Sequence, residues 1–237
     1  MQRSRLAVVY GFLGALAVFD AVLGPVLIHL GVLQPIGGFL FFASGLVFGL
    51  VAVVLAPFAI RATRAGGRAG RGLAWLGFAC GAALLTLVFV SRQGASGLPR
   101  INDITTDVAD PPAFASDPAD DGRDMSYPAG FAPQVQKAYA DLAPIRVSSE
   151  PAQALALAEQ TARGLGWEVV SVDRAAGTLL ARETSKIFHF VDDILVRVRP
   201  GEGGGTVVDV RSKSRVGQGD LGANAARIRA FTEKLPR

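Results

Sequence analysis

Apolar and polar positions fall into two regimes along this chain. In the first, apolar residues run on without a break: "LAVVYGFLGALAVFDAVLGPVLIHLGVL" (residues 6–33), "IGGFLFFASGLVFGLVAVVLAPFAI" (36–60) and "GLAWLGFACGAALLTLVFV" (72–90). The first two exceed the roughly 20 apolar residues that cross a bilayer, and the third just reaches that length. Hydrocarbon offers backbone polar groups no outside partner, so all three runs predict helices. The first is too long for the apolar stretch of a signal peptide and a second follows at once, which reads as a retained span.

Beyond residue 90 the pattern shortens. Residues 91–100 form a tether rich in Gly and Ser. "FAPQVQKAYADLAP" places Val135, Ala138, Tyr139 and Leu142 at helical spacing and closes with Pro144. Ser149 or Glu150 caps a second helix that runs through Leu165, with Leu155, Ala158, Ala162 and Leu165 on one face. Four strands are predicted next. "WEVVSVD" (167–173) and "TLLARET" (178–184) flank a turn, "RAAG". "VDDILVRVRP" sets Ile194, Val196 and Val198 against Asp193, Arg197 and Arg199. "TVVDVRSKSR" sets Val208 and Val210 against Asp209, Arg211, Lys213 and Arg215. After "VGQG", a last helix carries an apolar stripe of Leu221, Ala225, Ile228, Phe231 and Leu235.

The fold class expected is α+β. A three-helix transmembrane region (1–90) and the tether (91–100) precede an extracytoplasmic domain (101–237). That domain is an antiparallel four-stranded sheet packed with helices, in the order α-β-β-β-β-α, a helix-grip-like arrangement.

Charge adds a direction. The apolar third holds Arg3, Arg5, Arg61, Arg64, Arg68 and Arg71 against one acid, Asp20, while the remainder is nearly neutral. The pI of 9.6 therefore belongs to the apolar region and gives no reason to expect a nucleic-acid partner. "RATRAGGRAGRG" carries four arginines and the first connection, Gln34-Pro35, carries none. The positive-inside rule puts that loop and the amino terminus in the cytoplasm, and three spans then deliver the outer domain to the periplasm of an inner-membrane protein. A lone cysteine, Cys80, excludes an internal disulfide and a cysteine-rich metal cage.

Candidate chemistry is sparse. Asp20 and His29 are ionisable residues within the first span, read as a polar pairing between helices and an outer-interface histidine; a proton or ion pathway is the alternative. The other histidine, His189 in "SKIFHFVDD", has no companion nucleophile in register, since Ser185 and Lys186 alternate faces, so no catalytic residue is assigned. Residues 103–124 hold seven aspartates against Arg123, hard-oxygen donors without the loop spacing of an EF-hand, and no metal or cofactor is assigned to them. "RSKSRVGQGDLGAN" ends a basic strand at a helix amino terminus. It reads as an anion site or as a structural corner whose amides Asp220 takes for itself. The arm "INDITTD" is expected to lie along this corner, with Asp103 or Asp107 meeting Arg211 or Arg215. The seam, comprising Asn102, Asp103, Thr105, Thr106, Asp107, Arg211, Arg215, Asp220 and Asn224, is the candidate binding surface.

These same motifs carry a resemblance. "INDITTD…DPPAF", "GW.VV..D...GTL.A", "F.DDILVRV" and "DVRSKSRVGQGDLGANAARIRAF" resemble domain of unknown function 1499, a bacterial and plastid family. The resemblance implies an envelope or plastid location and no established reaction. A fainter likeness of residues 154–184 to helix-grip lipoproteins bears on fold alone. The expected function is a membrane-anchored, non-enzymatic binding or scaffold module for an envelope protein partner or an apolar, lipid-like or anionic ligand. The alternative is a metal-dependent or hydrolytic enzyme using residues 103–124.

Overall fold

The computed structural model describes residues 5–64, 69–119, 121–202 and 204–237, so Arg3, Arg68 and Asp120 of the charge argument lie outside the described residues. The chain forms two compact units: Met1–Ser96 with Lys186–His189, and Gly97–Ser185 with Phe190–Arg237.

The first unit is built on three helices, α1 (Arg5–His29), α2 (Pro35–Arg64) and α3 (Arg71–Gln93), each long and apolar enough to cross a membrane. Side chains that are apolar all round give no face to hide, so small residues set the packing. A Cβ on Gly14 would stand 2.4 Å from the Gly77 Cα, and one on Gly45 would stand 2.5 Å from the Ala17 carbonyl oxygen. Backbones touch where glycines face one another. Polar groups are matched across the same interfaces. Buried Asp20 accepts a hydrogen bond from Ser44 Oγ (3.0 Å), and Tyr10 donates to the Ala52 carbonyl. His29 ends α1, its ring nitrogen 2.8 Å from the Pro25 carbonyl oxygen.

The second unit is a single antiparallel sheet with helices on one face. Its strands are β1 (Asp103–Thr105), β2 (Ile145–Val147), β3 (Glu168–Asp173), β4 (Thr178–Thr184), β5 (Val191–Pro200) and β6 (Thr206–Ser214). The expected four strands are thus six. The order is β1-β6-β5-β4-β3, and β2 also pairs with β6. One edge of β6 is shared: β1 covers Arg211, Ser212 and Lys213, while β2 covers Thr206, Val207 and Val208.

Alternation then sorts the two faces. Leu179, Ala181, Ile194, Val196, Val198, Val208 and Val210 point to one side and are buried. Over them lie α5 (Pro151–Gly164), through Ala154, Leu155, Ala158 and Ala162, and α6 (Ala223–Lys234), through Ala225, Ile228 and Phe231. Trp167 stacks on Phe231 with ring centroids 5.3 Å apart. The short helix α4 (Ala132–Ala138) buries Val135 and leads to buried Tyr139. Leu221, expected in the α6 stripe, is exposed at φ 55, one residue before the Gly222 cap; the helix begins later than its apolar pattern.

Candidate functional site

The other face of the sheet is charged, and it is largely covered. β5 and β6 present Asp193, Leu195, Arg197 and Arg199 beside Lys213, Arg211, Asp209 and Val207, in register. β1 adds Asp103 beside Lys213 and Thr105 beside Arg211. The irregular segment after β1 folds back over this surface as a strap. Three carboxylates of the sheet, each almost wholly buried, organise what it meets.

Asp103 is the first. Its two oxygens take Nε and Nη2 of Arg211 at 2.9 and 2.7 Å, and Lys213 Nζ joins at 3.0 Å. Arg211 is only 1% exposed, the largest fully buried side chain among the described residues. Its remaining donors reach the strap, Nη1 to the Pro112 carbonyl and Nη2 to that of Met125, both at 2.9 Å. Its guanidinium carbon also lies 5.0 Å from the Phe114 ring centroid and 5.3 Å from that of Tyr127. A buried guanidinium needs all of these partners. Burial, and then the charge of Asp103, push the Tyr127 phenol up to about 12, with Arg211 opposing.

Asp193 is the second. It holds Arg215 through both oxygens, the shortest bond being 2.7 Å, and Arg123 of the strap at 3.0 Å. Arg123 in turn binds Asp117 and Asp121. Burial works to raise the Asp117 carboxyl. Hydrogen bonds from Asp121, Arg123 and the amides of Ala119 and Arg123 outweigh it and hold the group well below the usual carboxylate range.

Asp209 is the third, binding Arg197 and Arg199 through Oδ2 at 2.9 and 3.0 Å. Arg199 also reaches Asp107 at 3.2 Å, and Arg197 reaches both the carboxylate and the carbonyl of Asp110. Asp107 uses its second oxygen to receive the amides of Ala109 and Asp110, which turns the strap toward the prolines.

The nine residues of the expected seam thus divide among separate contacts. Asp103 does meet Arg211. Asp107 does not reach Arg211 or Arg215 but bonds Arg199, and Arg215 bonds Asp193. Thr105 turns Asp107 through Oγ1, and Thr106 exchanges backbone and side-chain bonds with Val210. Asn102 donates to the Gly217 carbonyl at 2.6 Å, and the Asp220 amide donates to the Ile101 carbonyl. Asp220 receives the amides of Gly222 and Asn224, so its own carboxylate occupies the start of α6. Asn224 is buried, accepting from Ser212 Oγ and Arg227 and donating to the Asn102 carbonyl. Internal bonds take up the polar groups named at this corner, while residues 216–219 remain exposed.

Pattern reasoning missed the work of Asp193, Asp209 and Arg123. The period-two alternation had marked the first two as outward-facing; their burial follows from the strap, which has no period. No group of three or more His, Cys, Asp or Glu among the described residues is arranged to hold a metal ion. His189 stands at φ 51 with its ring 4.4 Å from that of His29, both within the first unit.

An α+β sheet, covered on one face by helices and on the other by an ion-paired strap, following three apolar helices, defines a membrane-associated domain protein. The chain belongs to the family described as Protein of unknown function (DUF1499), whose model matches residues 103–235. That match begins at the first residue of β1 and so includes the strap with the sheet. No curated protein matches the chain.

Proposed function

We propose that the chain is a multi-pass inner-membrane protein with a cytoplasmic amino terminus, and that its periplasmic domain is a non-enzymatic module binding an extended segment of an envelope protein along β3. One observation carries the binding reading. β6 is paired along both edges, whereas β3, among the described residues, pairs only with β4 and is exposed through most of its length. Open strand edges accept a further strand, whose backbone supplies affinity and whose alternate side chains supply selectivity. A register shift between Val169 and Ser171 interrupts the ladder, and Val170 there is 42% exposed. Such a bulge limits indiscriminate pairing and leaves a shorter, more selective edge.

Two further facts weigh toward a protein partner. The aspartates at 103, 107, 110, 117 and 121 are engaged by arginines, which removes them from the acid–base roles an enzyme would ask of them. The space between sheet and helices is packed with Trp167, Phe231, Ile194 and Val196, all buried. A photo-crosslinking residue at Val170 in native membranes should give one discrete protein adduct, competed away by a peptide copying the captured segment. Adducts that no such peptide competes, or divalent-cation-dependent turnover lost in Asp117→Asn, would overturn the reading.

Orientation has its own test. A reporter active only in the periplasm should be active when fused after Arg237 and silent near Arg68. The reverse pattern would end the proposed topology.

A further inference from the structure

The loop between β4 and β5 carries "SKIFHF", an apolar tip at the end of a charged hairpin. Its mouth is fastened twice: the Ser185 amide donates to the Phe190 carbonyl at 2.8 Å, and the Phe190 amide donates to Ser185 Oγ at 2.9 Å. Between these bonds, Lys186–His189 belongs to the first unit, with the apolar helices. The Phe188 ring meets those of Phe39 and Phe42 edge-on, with centroids 5.4 and 5.3 Å away, and His189 lies against His29.

Those partners mark a level. His29 is the last residue of α1, and Phe39 and Phe42 stand in the first turns of α2, so the tip lies where two helices end. The turn joining them has no charged residue and exposes Leu30, Val32 and Ile36. Ile187, next in the chain to Phe188, is 59% exposed, and Lys186 precedes it with a stem long enough to carry its ammonium back to water. Aromatic rings and snorkelling lysines are the residues that membrane interfaces select.

We propose that the β4–β5 tip is a lipid-inserted wedge, with Ile187 buried in the interfacial layer of the same bilayer that the three helices span. The inference rests on the spanning reading of those helices. A fastened loop presents its apolar residue without first having to be ordered, as favours an anchor. A partner protein or a second copy covering Ile187 would be a different occupant, and collision accessibility separates the cases.

The full chain, with Cys80→Ala, would be reconstituted in bilayers of phosphatidylcholine and phosphatidylglycerol and spin-labelled singly at Ile187→Cys, Lys186→Cys, Phe19→Cys or Val170→Cys. Phe19, exposed on α1, serves as the lipid control, and Val170 as the water control. The expected result is a ratio of oxygen to nickel-chelate accessibility at Ile187 severalfold above that at Val170 and approaching that at Phe19, with Lys186 between them. A Val170-like ratio at Ile187 overturns the wedge while a lipid-like Phe19 preserves the spans. Exclusion of both reagents from Ile187 overturns it in favour of a protein contact. A water-like Phe19 overturns the spanning reading itself.

Discussion

Asp103→Ala is expected to lower the stability of the second unit by about 3–5 kcal/mol, the range seen when one partner of a buried ion pair is removed. Asp103 is fully buried and bonds two cations, Arg211 and Lys213. Without it, the Arg211 guanidinium keeps two carbonyls and two aromatic faces but no carboxylate bonded to it, in a place that water does not reach. Small domains are stable by only about 5–15 kcal/mol, so this loss is a large share of the total. Hydrogen exchange on the intact protein should show protection falling first at residues 101–112 and along β6. The double replacement Asp103→Leu with Arg211→Met should recover part of the loss, because a buried pair replaced by apolar groups of similar volume is often tolerated. An Asp103→Ala protein that melts with its parent would show that the pair holds nothing in place.

Gly14→Leu is the second large effect expected, and it acts on the apolar helices alone. A Cβ there would stand 2.4 Å from the Gly77 Cα and 2.8 Å from its carbonyl oxygen, so backbone and not a flexible side chain would have to yield. Overpacking a tight contact costs about 1–3 kcal/mol, and the absence of a movable neighbour places this site at or above the upper end. Gly72→Leu is the matched control, since a Cβ there meets nothing within 4 Å. Unfolding titrations in mixed detergent micelles should separate the two variants clearly. Equal midpoints would mean that α1 and α3 are not held by this contact.

Legibility varied with the physical cause of each feature. β3 to β6 could be placed to within about a residue because each is a run rich in apolar and β-branched residues bounded by turn signals, with alternation over much of β5 and β6. β1 and β2, the strands "DIT" and "IRV", are three residues each, too short for any period. They are strands only because β6 offers them an edge, and that edge lies far along the chain from both, Asp103 pairing with Lys213 and Ile145 with Val208. Charge pairing between the acidic segment and the basic strands was readable from composition, and Asp103 with Arg211 was among the expected pairs; Asp107 with Arg199 and Arg215 with Asp193 were not. The burial of Arg211 was not readable either. An arginine on the polar phase of an amphipathic strand reads as solvated, and only the irregular strap, with Pro112 and Met125 presenting carbonyls, turns that face into an interior.

The sharing of β6 also sets an order of events in synthesis. Asp103 finds its lysine 110 residues later, and Ile145 finds Val208 only when the last strand exists. Until then the emerging arm has no edge to join, and its aspartates have no arginines from the last strand to meet. Contacts so distant along the chain slow folding, because loop closure precedes any gain from them. Pairing of the arm and of β2 therefore waits until β6 has been made. A chain that stops short of residue 206 lacks the strand on which β1, β2 and β5 are all paired.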